Sequence, residues 1–164
     1  MTGILLWLTL LAALTAALIA GVFLGFSDFI MRALKRAGPA AGISAMQEIN
    51  REVYRAVFLA MMIGMAALSP ALALFAIWAI GGKVAALISA AAITYCLGMF
   101  GVTLACNVPM NKRLDRMDAA TPETAAYWAR DFLPRWTFWN SVRMTAAALA
   151  ALLYIVAALA LAPG

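Results

Sequence analysis

Histidine is missing altogether from the 164 residues of this chain, and charged residues make up only 12% of it. Without imidazole, this chain alone cannot build an imidazole-ligated haem or zinc site, or a di-iron site of the Glu-x-x-His type. The two cysteines, Cys96 and Cys106, are ten residues apart in one apolar run. At about 1.5 Å of helical rise per residue they are separated by roughly 15 Å, beyond the ~7 Å reach of a disulfide, and they read as small buried apolar residues. The residues before Ile4 include no Lys or Arg. The positive start of a secretory signal is therefore lacking, and the first apolar run reads as a retained span. Strict apolar–polar alternation is also absent, which argues against a membrane β-barrel.

What is present is hydrophobic: 66% of the residues are apolar, where soluble domains carry roughly 45–50%. Four runs, residues 4–26, 57–80, 84–106 and 144–161, approach or meet the ~20 residues that a helix needs to cross a bilayer. The expected fold is all-α: an integral membrane four-helix bundle forming a single domain over residues 1–164. The basic residues are strongly partitioned. Arg32, Lys35, Arg36, Arg51 and Arg55 fall in the first loop, Lys83 alone in the second, and Lys112, Arg113, Arg116, Arg130, Arg135 and Arg143 in the third. The positive-inside rule places the first and third loops in the cytoplasm and both termini outside, in the inner (cytoplasmic) membrane. The net charge of +5 serves this orientation, and no nucleic-acid partner is expected.

Along the chain, Gly21 and Gly25 form a small-xxx-small pattern that suits either internal helix packing or the seam of a homo-oligomer. Ser44 and Gln47 fit a capping box, from which a helix is expected to run through Asn50 and Tyr54 directly into the second span. Pro70 lies in mid-span, and Gly81-Gly82 marks a tight outer turn. Thr121-Pro122 reads as an N-cap with Pro at the first helical position. The short amphipathic helix that it opens is expected to end at Pro134. Each of the two long loops thus contributes one cytoplasmic amphipathic helix.

Polar residues gather at one membrane depth. Asn107 and Asn111 flank Pro109 and share a face if the helix continues past the proline; the alternative is plain helix termination, with Asn as a turn former. Trp136, Asn140 and Arg143 fall at i, i+4 and i+7, with Trp139 four residues before Arg143. An aromatic belt with a snorkelling arginine gives the same pattern, but an Asn140 amide facing lipid would lack a partner, so it should face the bundle. Gln47, Asn50 and Tyr54 lie at i, i+3 and i+7. Amides, indoles and one guanidinium suit a planar or anionic, oxygen-bearing ligand.

At these residues the chain resembles the anthrone oxygenase family of small four-helix membrane proteins. The resemblance rests on Gly42-Ile43-Ser44-Ala45-Met46-Gln47-Glu48-Ile49-Asn50, on Asn107-Val108-Pro109-Met110-Asn111, and on Trp136 through Asn140 to Arg143. It implies insertion of oxygen into a polyketide anthrone to give an anthraquinone, with no metal or flavin cofactor. By that analogy Arg143 pairs with the substrate anion, Asn50, Asn107, Asn111 and Asn140 position oxygens, and Trp136 or Trp139 stacks on the ring. Gln47 and Tyr54 complete the expected pocket. Because the chain has no His, a family mechanism built on a His base does not transfer; Tyr54 or Glu48 takes that place, or the substrate ionises unaided. The expected partners are membrane lipid and a lipophilic aromatic or quinone-like molecule. The competing expectation is a non-catalytic lipid- or quinone-binding accessory protein. A transporter fits less well, since no charged residue lies at mid-depth to couple ions.

Overall fold

The computed structural model describes residues 2–162. Five helices follow one another: α1 (Thr2–Arg36), α2 (Pro39–Glu52), α3 (Val57–Ala79), α4 (Gly82–Asp115) and α5 (Pro122–Leu161). Among the described residues there is no strand. All but α2 are long and apolar enough to cross a membrane. The chain is a helical membrane bundle.

Each turn has a local cause. Gly38 adopts φ +90° between α1 and α2, while Gly81 and Gly82 adopt +69° and +59° between α3 and α4. These left-handed values cost glycine little and other residues much. Thr121 caps α5, its Oγ1 accepting from the Thr124 amide at 3.3 Å, with Pro122 at the first helical position. Prolines inside α4 and α5 are accommodated without breaking either helix. In a regular α-helix Pro109 and Pro134 would each clash with the carbonyl four residues back, at Ala105 and Arg130. Both carbonyls lie in wide π turns, Thr103–Asn107 and Trp128–Phe132, which loosen the backbone where the ring needs room. The expected stop at Pro134 is therefore overturned, and the third-loop amphipathic helix is the first part of α5.

Two expectations for the first loop are also corrected. The helix begins at Pro39, so Ser44 is inside it and exposed rather than capping it. Gln47 instead donates from Nε2 to the carbonyls of Leu114 and Met117, both at 2.8 Å. Nor does α2 run into the second span. It ends in a 3-10 turn, Val53–Arg55, followed by extended Ala56 (φ −84°, ψ 145°). This bend lets α2 cover the end of the bundle rather than stand above it.

The spans pack through small side chains. Ala12, Ala16, Ala147 and Ala150 are fully buried. Lipid offers no hydrophobic drive for helix association, so contact area and close approach hold such a bundle together. Gly98 marks a close approach of α4 and α5, where an added Cβ would lie 2.7 Å from that of Ala146. Gly21 is different: nothing lies within 4 Å of a Cβ placed there, so it takes no part in internal packing. Leu14, Leu97 and Leu159 are exposed on the outside, as a lipid-facing surface requires. A second core of Met31, Ile43, Met46, Leu114, Trp128 and Phe132 joins α2 to the ends of α1, α4 and α5.

Candidate functional site

The central guanidinium sits where α1, α4 and α5 meet. Arg143 is 5% exposed. Its Nη2 donates to Asn140 Oδ1 at 2.8 Å, and its Nη1 donates weakly to Thr103 Oγ1 at 3.4 Å. The Asn140 oxygen is aimed at Arg143 because its Nδ2 is engaged elsewhere, donating to the Phe23 carbonyl (2.7 Å) and to Ser27 Oγ (2.8 Å). The guanidinium carbon lies 4.2 Å from the Phe23 ring centroid and 5.4 Å from that of Trp136. Among the described residues no carboxylate lies within 4 Å of it. Its Nε is buried without a partner. A buried cation held only by neutral groups keeps much of its desolvation cost, and an incoming anion relieves that cost.

Arg143 opens onto a cavity of about 390 Å3 bounded by all five helices, a size within the ~300–1,000 Å3 of small-molecule sites. Most of its lining is apolar, with Phe23, Phe26, Phe58 and Met62 among the walls. Its polar lining comes from Asn50, Thr103, Asn111, Trp136, Arg143 and, at the mouth, Glu52 and Tyr54. Asn50 is buried and its Nδ2 has no partner. Trp136 donates from Nε1 to Asn111 Oδ1 at 2.7 Å, which fixes the indole as a wall. Phe132 stacks behind that indole, with centroids 6.1 Å apart and planes 18° from parallel. The helix does continue past Pro109, so Asn107 and Asn111 both turn toward α5. Asn107 Nδ2 donates to the Trp136 carbonyl at 3.2 Å.

The expected residues therefore divide into three groups. Asn50, Asn111, Trp136, Arg143 and Tyr54 line the cavity, although Tyr54 is 64% exposed. Asn140 and Asn107 stand behind its wall and orient Arg143 and Trp136. Gln47 and Trp139 lie outside it: Gln47 ties α2 to the end of α4, and Trp139 lines a different groove, between α4 and α5. Glu48 is likewise set apart, accepting from Arg51 Nη1 at 2.6 Å on the exposed side of α2. Four contributors were not singled out from the sequence: Thr103, Phe23, Ser27 and Glu52. Thr103 was within reach, since it precedes Asn107 by one helical turn. Phe23 and Ser27 act through contacts with a helix more than a hundred residues away, which no local spacing reports.

The cavity thus combines a guanidinium with no carboxylate within 4 Å among the described residues, the unpartnered Asn50 amide, and an indole wall in a largely apolar enclosure. The anthrone oxygenase family matches residues 51–153. The chain belongs to that family. The matched stretch contains the Asn107–Asn111 element and the whole Trp136, Asn140 and Arg143 face, and it begins one residue after Asn50. No curated protein and no solved structure matches the chain. Among the described residues, no three His, Cys, Asp or Glu side chains gather into a metal-ligating group.

Proposed function

We propose that this anthrone oxygenase family member oxygenates a lipophilic, anthrone- or hydroquinone-like aromatic without a cofactor, on the cytoplasmic side of the inner membrane. The observation that carries this reading is Arg143, a buried guanidinium with neutral partners only, facing an apolar cavity walled by an indole. An anthrone that loses a proton from its ring methylene becomes an electron-rich, phenolate-like anion. Arg143 stabilises that oxyanion, Asn50 and Asn111 orient its oxygens, and Trp136 holds the ring plane. The anion reduces O2 and a carbon–oxygen bond forms at the former methylene. The base returns the first proton to the peroxide, the O–O bond breaks as the second C–H proton is lost, the outer oxygen leaves with both protons as water, and a ketone remains. Anthrone plus O2 thus gives anthraquinone plus water, with the ring oxidised and O2 reduced. Glu52, a carboxylate in the cavity lining, takes the first proton in place of Glu48, with Tyr54 beside it in the lining as the other candidate named from the sequence.

Oxygen uptake by purified protein with an anthrone under air tests the reading. Uptake above the spontaneous rate that falls to that rate in Arg143→Ala is the expected result; equal rates with and without protein reject it. One observation favours a second, non-catalytic reading, the holding of a quinone or lipid headgroup: Glu52 is exposed, so the cavity has no buried base. Mass spectrometry of gently extracted protein separates the two. An oxidised aromatic product speaks for catalysis, and an intact lipid or quinone for binding.

A further inference from the structure

A second groove, independent of the cavity and of the function proposed for it, runs between α4 and α5 on the face that carries Trp139. Its α5 wall is a ladder at four-residue spacing: Tyr127, Asp131, Arg135 and Trp139. The α4 wall passes from Ala105 and Cys106, inside the apolar run, to Arg113. The seven residues from Cys106 to Arg113 climb about 10 Å, enough to cross the roughly 5–8 Å headgroup layer on one side of the hydrocarbon. Arg113 lies over the Tyr127 ring, 4.2 Å from its centroid, which closes the outer end. Among the described residues neither Arg113 nor Arg135 has a carboxylate within 4 Å. On the opposite flank of α5 a comparable groove contains Arg32 and Lys35; Asp28 accepts from that arginine at 2.9 Å, so the groove offers a lysine ammonium but no unpaired arginine fork among the described residues.

We propose that the α4–α5 groove is a binding site for one anionic phosphodiester lipid with a hydroxylated headgroup, of the phosphatidylglycerol type. Charge complementarity selects this occupant. Two arginines and Asp131 sum to +1, which a single phosphodiester neutralises; a zwitterionic phosphoethanolamine lipid leaves the surplus in place. The vertical order of the ladder also fits such a molecule. The acyl chains and glycerol lie against Ala105, Cys106 and Trp139, an indole suited to the interface. The phosphate meets the Arg135 fork. Asp131, one turn further out, accepts from the headgroup hydroxyls, and Arg113 caps the site.

The chain is reconstituted in nanodiscs of mixed phosphatidylglycerol, phosphatidylethanolamine and phosphatidylcholine, extracted gently, and its retained lipids are counted by native mass spectrometry. One phosphatidylglycerol per chain is expected, in preference to the other two. The Arg113→Gln/Arg135→Gln variant should lose that retention by about twenty-fivefold, at roughly fivefold for each arginine near the surface. Arg32→Gln should leave it unchanged. Both positions are exposed, so the melting temperature of each variant verifies that the fold persists. Equal retention of the three lipids overturns the proposal, as does retention unaffected by the double substitution or lowered equally by Arg32→Gln. Displacement of the lipid by millimolar inorganic phosphate assigns the groove to free phosphate and equally overturns a lipid site.

Discussion

Replacing Arg143 with methionine removes a charge while leaving an unbranched chain of similar reach in its place. The guanidinium is 5% exposed and makes one good hydrogen bond, to Asn140 Oδ1 at 2.8 Å, and one long one, to Thr103 at 3.4 Å. A hydrogen bond from a charged donor contributes about 1.5–3 kcal/mol. If Arg143 meets the anion of the substrate, its loss should lower kcat/KM for anthrone-dependent oxygen uptake by about 10- to 150-fold. Stability should move differently. The substitution orphans Asn140 Oδ1, at a cost of about 1–3 kcal/mol, but it also removes a buried cation whose desolvation costs several kcal/mol. The methionine variant should therefore melt at or above the temperature of the parent. Arg143→Lys keeps the charge but not the planar fork, and should fall between the two in activity. Oxygen-electrode kinetics and thermal melts in the same detergent test both halves. A methionine variant that keeps its oxygen uptake, or loses uptake only together with its fold, refutes the reasoning.

Asn140→Asp should produce a similar loss of anthrone affinity with Arg143 still in place, because a carboxylate 2.8 Å from Nη2 supplies the counter-ion that the substrate otherwise provides; the KM for oxygen uptake reports it. Gly98→Val should lower the melting temperature by several degrees, since even a Cβ meets Ala146 at 2.7 Å and overpacking costs about 1–3 kcal/mol; Gly21→Ala, with open space around it, should not. Gln47→Leu removes both 2.8 Å bonds to the end of α4, and faster amide exchange confined to α2, with activity less affected than stability, is expected.

Much of this molecule follows from local rules that one segment of chain obeys by itself. The four apolar runs had to become spanning helices because lipid leaves their backbones no other partner. Gly81-Gly82 had to turn because of its φ values, and Thr121-Pro122 had to start a helix because it supplies an acceptor where an amide is missing. The face formed by Trp136, Asn140 and Arg143 was equally legible, since 3.6 residues per turn fixes which side chains share a side. Trp139 marks the limit of that logic. It is adjacent to Asn140 in sequence and so lies about 100° around the helix; which crevice each enters depends on where α1 and α4 stand. Gln47 satisfied the sequence pattern of a cap, yet the carbonyls of Leu114 and Met117, at and just beyond the end of α4, claimed it. The helix expected to run straight from α2 into α3 bends at Ala56 because α2 has its own apolar face to bury, against Leu114 and Trp128. What the chain settled alone was the four spanning helices and the side chains that share a face on each, because periodicity and backbone hydrogen bonding act over a few residues. Only tertiary packing decided which amides line the cavity and which buttress it, because a side chain's partner is chosen by the helix that packs beside it.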